Sequence, residues 1–261
     1  MSRLIITYFF CVMALSSCGT PPQRIESDRQ RHVVLLPGIV GRKLDIPGID
    51  ALSSQIEREL PDVSAQVWDW TALESEIHLT ALYNLTDYER NRRRASTLAR
   101  EIETWTREHP GSPLYLIAHS GGAGIALFAC DELSPDTMLE GIILVSGGVS
   151  PQYDLTTALA HTRLGVFNYS SEKDARVLRD GTTRHGTMDR RYGPSVGYAG
   201  FETVHPKLFQ LKWDPGMRRL WNYGGHSTGL RPAFARQYYF PVFEGNVTEI
   251  AQQWPSAQES K

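Results

Sequence analysis

Leu114-Tyr115-Leu116-Ile117-Ala118-His119-Ser120-Gly121-Gly122-Ala123-Gly124-Ile125-Ala126 joins two kinds of sequence at Ser120. Residues 114–118 are apolar on every position, as in a strand buried on both faces. From Gly121 to Leu133 the residues are small or apolar except for Asp131 and Glu132, and the stretch is long enough for a buried helix. A serine between such elements occupies a sharp turn, with small neighbours because the backbone is crowded. The turn lifts the hydroxyl above the sheet edge and aims the helix N-terminus at it. An N-cap serine would look similar locally. A phosphate loop would not, because no Lys-Ser/Thr pair follows the glycines and no G-x-G-x-x-G aligns.

The same alternation runs outward in both directions. Apolar runs at 32–36, 141–145, 164–169 and 208–213, and the alternating segment at 63–70, predict strands. Apolar residues at helical spacing predict helices over 48–60, 91–109, 155–162 and 229–239. Strands alternating with helices indicate an α/β fold, a mostly parallel doubly wound sheet with helices on both faces. Ligands of such sheets bind outside the carboxyl ends of the strands, so the residues that follow each strand are the ones to search.

Composition agrees with one folded domain. Of 261 residues, 41% are hydrophobic and 21% charged, near the average of globular proteins. A chain this long needs only a single core. With 27 basic and 29 acidic residues the net charge is −2, without the basic surplus of a nucleic-acid binder. Three cysteines make no disulfide framework, and Cys130, inside an apolar helical pattern, reads as a small buried hydrophobe. No group of His, Cys and carboxylates has metal-ligand spacing, and no cofactor is implied. Arg90-Asn91-Arg92-Arg93-Arg94 reads as the solvated start of a helix, with a face toward anionic lipid as the alternative. Trp68-Asp69-Trp70 ends a strand and could line an acyl pocket or pack in the core.

The first residues have a different purpose. Arg3, the apolar run Leu4–Leu15 and the small residues Ser16-Ser17 form a secretory signal too short for a comfortable membrane span. Leu15-Ser16-Ser17-Cys18 resembles the bacterial lipobox. That resemblance implies cleavage before Cys18 and its acylation, and so a lipid-anchored protein of the bacterial cell envelope. The expected organisation is a signal peptide at 1–17, a lipidated cysteine with a flexible tether at 18–31, and a single domain at 32–261.

Ala118-His119-Ser120-Gly121-Gly122, on its strand and ahead of its helix, resembles the nucleophile elbow of the α/β-hydrolases, with Ala118 at the usual first glycine. The resemblance spans residues 32–245 and implies a serine hydrolase with Ser120 as nucleophile. The family order of serine, acid, histidine directs the search downstream. Of His185, His205 and His226, His226 follows the last strand, in Asn222-Tyr223-Gly224-Gly225-His226-Ser227, where the family's base lies; His185 is the alternative. For the acid, Asp174 follows the strand at 164–169, and Asp154, after the preceding strand, is the alternative. Gly121 and Ile39, in Pro37-Gly38-Ile39-Val40-Gly41, match the two oxyanion-hole amides. One ordinary helix between 70 and 130 and one short helix at 155–162 leave no room for a large lid domain. The expected substrate is a small carboxylic ester. The alternatives are an amidase or acyltransferase using the same triad, or an inactive binding protein of this fold.

Overall fold

A computed structural model describes residues 30–42, 48–72 and 77–255. The expected signal peptide and Cys18 lie outside the described residues. Six strands form one sheet: β1 (Arg31–Leu36), β2 (Val63–Val67), β3 (Leu114–His119), β4 (Leu139–Val145), β5 (Thr162–Ser170) and β6 (Leu208–Lys212). Every neighbouring pair is parallel, and the order is β2-β1-β3-β4-β5-β6. Strands buried on both faces have no reason to alternate apolar with polar, which is why β1, β3 and β4 are visible as apolar runs, while the edge strand β2 mixes Ser64 and Gln66 with its valines.

The two-residue period of the strands divides the core. Val33, Leu35, Ile117, Ile143 and Phe167 face α1 (Ile49–Glu59) on one side. Val34, Leu36, Leu116, Ile142 and Leu144 face the other side. There they meet α3 (Tyr88–Glu108), α4 (Gly122–Cys130) and α5 (Thr156–Ala160), while α2 (Ile77–Thr86) leads into α3. The short helices α6 (Thr182–His185) and α7 (Val196–Ala199) lie between β5 and β6. After β6 come α8 (Pro232–Tyr238), α9 (Phe240–Glu244) and α10 (Val247–Gln253), whose Phe234, Phe243 and Ile250 cover the α1 face. This is the doubly wound architecture of the α/β-hydrolase fold, and no large lid domain is inserted among the described residues.

The sheet order explains where a site must form. From β1 the chain leaves toward α1 on one face, and from β3 it leaves toward α4 on the other. Adjacent strands whose continuations diverge open a crevice at their carboxyl ends. Pro37–Gly41 and Ser120–Gly122 form its two walls. They touch closely: a β-carbon on Gly122 would lie 2.6 Å from the Leu36 carbonyl oxygen and 2.7 Å from that of Pro37. Only glycine lets α4 start this near β1.

Four expectations need correction. Residues 70–108 hold two helices, α2 and α3, instead of one, because α2 carries apolar residues around its circumference and has no readable stripe. Leu79, Leu82 and Tyr83 on it are exposed. The strand expected at 63–70 ends at Val67, and the helix expected from 229 begins at Pro232. The arginine run is only partly solvated. Arg90 and Arg94 turn inward onto the Trp70 carbonyl, at 2.8 and 3.2 Å, and burial lowers the pKa of both guanidiniums. Arg92 pairs with Asp131 and Glu132. A guanidinium can satisfy backbone carbonyls as readily as water can, and charge patterning does not register that choice. No helix among the described residues is long and apolar enough to cross a membrane.

Candidate active site

Ser120 has a φ of 53°, in the left-handed region that costs a non-glycine residue about 1–2 kcal/mol. Three backbone bonds hold it there. Its N–H donates to Val145 O at 3.0 Å, and its carbonyl accepts from Gly148 at 2.8 Å and Ala123 at 3.1 Å. The side chain consequently points out of the turn toward His226. The hydroxyl lies 2.9 Å from His226 Nε2, and His226 Nδ1 lies 2.6 Å from Asp174 Oδ2. A carboxylate only accepts, so Nδ1 carries the imidazole proton and Nε2 is left to accept from the serine. Asp174 is buried and His226 partly exposed, so the chain of hydrogen bonds runs from the interior to the crevice.

The loops bearing these groups are fastened to each other. Ser171 Oγ donates to Gly224 O at 2.8 Å, joining the loop after β5 to the loop after β6. Gly224 has a φ of 82°, and a β-carbon there would meet Ser171 Oγ at 2.7 Å. The buried Asn222 amide accepts from Gly224 N at 2.9 Å and from Thr228 Oγ1 at 2.7 Å, and pairs with the Tyr169 hydroxyl. His119, which the sequence left without a role, donates from Nε2 to the His226 carbonyl at 3.1 Å, and the two rings are 4.9 Å apart. The residue before the serine thus supports the backbone of the histidine.

Ile39 and Gly121 face each other across the crevice. Neither backbone N–H donates a hydrogen bond among the described residues, whereas the Ile39 carbonyl is taken by Asn84 Nδ2 at 2.9 Å. That contact, from buried Asn84 on α2, sets the orientation of the Gly38–Gly41 turn. A methyl on Gly121 would overlap Ile39 Cγ2 and approach Met188 Sδ at 3.3 Å and Trp70 at 3.4 Å. Ile39, Trp70 and Met188 thereby make an apolar wall beside Ser120. Trp70 is held by its indole N–H to Pro37 O at 2.7 Å. Met188 is delivered by a loop whose Asp189 accepts from Ser150 N at 2.9 Å and Ser150 Oγ at 2.5 Å. Nothing in the local sequence marks Met188, since the residues it packs against at the site, Ile39, Trp70 and Gly121, are more than sixty positions away.

The alternatives stand elsewhere. Asp154 is exposed and accepts from Thr156 N and Oγ1 at 2.9 and 2.6 Å, and those bonds hold its carboxyl below the usual range. His185 is exposed on α6, and His205 Nδ1 accepts from Lys207 N. Ser146-Gly147-Gly148 after β4 repeats the Ser120 turn, with a φ of 52°, but the Ser146 hydroxyl has no partner among the described residues. A raised serine is therefore not sufficient; Ser120 is distinguished by the imidazole in front of it. Cys130 is fully buried, and burial pushes its thiol up, away from thiolate chemistry. No group of His, Cys and carboxylates among the described residues could hold a metal ion.

No family model and no curated protein matches the chain. Solved structures do resemble it. A dienelactone hydrolase from Anabaena variabilis is 15% identical over 88% of this chain and 89% of its own, with a TM-score of 0.48. A dienelactone hydrolase-like promiscuous phosphotriesterase from metagenomic libraries is 17% identical over 88% and 89%, with a TM-score of 0.44. An acetylxylan esterase is 12% identical over 87% and 99%, with a TM-score of 0.43.

Proposed function

We propose that the chain is a serine hydrolase that cleaves a small carboxylic ester through an acyl-enzyme on Ser120. The observation that carries this reading is the unbroken relay from Asp174 through His226 to a serine held in a left-handed turn. In the first half-reaction Ser120 Oγ attacks the carbonyl carbon as its proton passes to His226 Nε2. The electron pair moved onto the carbonyl oxygen is stabilised by the N–H groups of Ile39 and Gly121. Collapse of this adduct expels the alcohol, which takes the proton from His226, and leaves the acyl group on Ser120. Water then attacks by the same route and returns the enzyme. Asp174 keeps its charge throughout, fixing the tautomer and stabilising the imidazolium. Ile39, Trp70 and Met188 close the side next to Gly121, which suits a short acyl group.

The lipobox-like Leu15–Cys18 supports an acylated Cys18 and attachment to an envelope membrane. Treating the protein with a fluorophosphonate and mapping the modified peptides by mass tests both parts. One adduct per chain is expected on Ser120, together with an acylated mature N-terminus at Cys18. An adduct on another residue, or none, overturns the nucleophile; an unmodified Cys18 removes only the anchor.

The oxyanion amides have a sharper test. Gly121→Ala forces its methyl against Ile39, the residue carrying the opposite amide. Loss of one such donor costs about 10²–10³ in kcat. We expect a fall of that size with Ser120 still labelled slowly, and a urea-unfolding midpoint lowered by the overlap, which costs about 1–3 kcal/mol. Unchanged kcat would mean that these amides do not hold the oxyanion.

A further inference from the structure

We propose that the surface around Trp221 and Tyr223, on the loop that carries His226, docks onto an anionic lipid bilayer. From residue 208 to 243 the chain has five basic residues, Lys212, Arg218, Arg219, Arg231 and Arg236, and one acid, Asp214, although the whole chain is slightly acidic. Within this basic segment Trp221 is 66% and Tyr223 55% exposed. Neither side chain has a hydrogen-bond or ring partner among the described residues. Trp221 also has a φ of 59°, a conformation that bulky residues avoid, adopted here with the indole left in water. That conformation caps the helical turn at Pro215–Leu220, where the Trp221 N–H donates to Arg218 O at 3.0 Å and the Asn222 N–H to Met217 O at 3.3 Å, and it leaves the indole facing solvent.

The rings and cations share one surface. Trp221, Tyr223, Arg231 and Arg236 line a groove of about 420 Å³ with Pro232 and Ala233. Arg236 is engaged by Glu59, at 2.5 and 2.6 Å, whereas Arg231 has no carboxylate partner among the described residues. The layer continues toward Asp174. Lys173 and Arg218 each stand 5.7 Å from the Trp213 ring, whose N–H donates to Asn222 O at 3.1 Å. The one acid of the segment, Asp214, is occupied in accepting from Gly216 N.

Indole and phenol rings have an apolar body and a polar tip, which places them at headgroup depth in a bilayer, and guanidiniums pair with lipid phosphates. The groove has room for one phosphate headgroup between Arg231 and the two rings. A nucleic acid also attracts arginines and rings, but the net negative chain lacks the surplus that such binding requires. This inference does not depend on turnover at Ser120.

Tryptophan fluorescence of the full chain with vesicles of bromine-labelled lipid provides the test. Trp68, Trp70, Trp105 and Trp254 are fully buried, so in a Trp213→Phe background, which removes the half-buried sixth tryptophan and is used for every arm below, shallow bromines report chiefly on Trp221. Attachment through the N-terminal segment alone leaves Trp221 in water and unquenched. Vesicles of phosphatidylcholine with phosphatidylglycerol are expected to quench the emission, and Trp221→Phe to abolish that quenching. Apparent affinity should fall about fivefold in each of Arg218→Gln and Arg231→Gln, and should weaken with salt. Equal quenching in Trp221→Phe, or equal quenching by pure phosphatidylcholine, overturns the proposal. So does protection of Trp221 from iodide by soluble glycerol phosphate as effective as that by vesicles, which would make the groove a small-ligand site.

Discussion

Ser120→Ala is expected to reduce ester turnover by about 10⁴–10⁶-fold while the protein stays folded. The size follows from how the relay works. In the proposed mechanism Asp174 and His226 have no function without a hydroxyl to deprotonate, so removing the serine removes the contribution of all three. Alanine keeps the tight turn, whose backbone bonds to Val145, Gly148 and Ala123 do not use the side chain. It loses one hydrogen bond, worth about 1 kcal/mol, so the urea-unfolding midpoint should move little. The informative comparison is the double variant with His226→Ala. If the residues act as one unit, it is no slower than either single variant; two independent losses that multiply would disprove the relay. Wild-type turnover in Ser120→Ala would sink the nucleophile outright, and Ser146, in its similar turn, would be the next serine to replace.

Asp174→Asn should cost about 10⁴ in kcat, the scale expected when the orienting acid of a triad is lost. The substitution keeps the shape of the side chain and changes what it offers to His226. An amide can turn its NH₂ toward Nδ1, which places the imidazole proton on Nε2, facing the serine hydroxyl. The base then has no lone pair where it is needed. Asp154→Asn is the control. Its exposed carboxylate accepts only from Thr156 N and Oγ1, which an asparagine oxygen can also do, so both the urea midpoint and kcat are expected to stay close to those of the unsubstituted protein. A large kcat loss in Asp154→Asn with near-normal Asp174→Asn would transfer the role. The two kcat values, measured on one ester with urea midpoints in parallel, decide the matter.

Much of the frame was legible because it is local. The strands β1, β3 and β4 carry unbroken apolar runs, and the serine turn is announced by Ala118-His119-Ser120-Gly121-Gly122. The long helix α3 carries Leu98, Ile102 and Trp105 on one buried stripe. The helices that escaped notice lack such a stripe or are too short to display one. In α9 a proline at the first turn reads as a break, although the missing N–H costs nothing there.

The site divides along the same line. Ser120 could be assigned from its own neighbours, since a turn between a strand and a helix is a property of consecutive residues. The choices between Asp174 and Asp154, and between His226 and His185, could not be made that way. Ser120 and His226 are 106 positions apart, Asp174 and His226 are 52 apart, and separation along a chain sets no distance in space. Parallel pairing of β3, β4, β5 and β6 carries the loops that follow them to a single edge of the sheet. Bonds across that edge, Ser171 to Gly224 and His119 to the His226 carbonyl, then choose which carboxylate and which imidazole arrive at the serine. The apolar pattern of the chain specified strands and turn because burial acts on residues one at a time. The relay was decided by the packed sheet, because a hydrogen bond of 2.6 to 2.9 Å needs two loops fixed in space together.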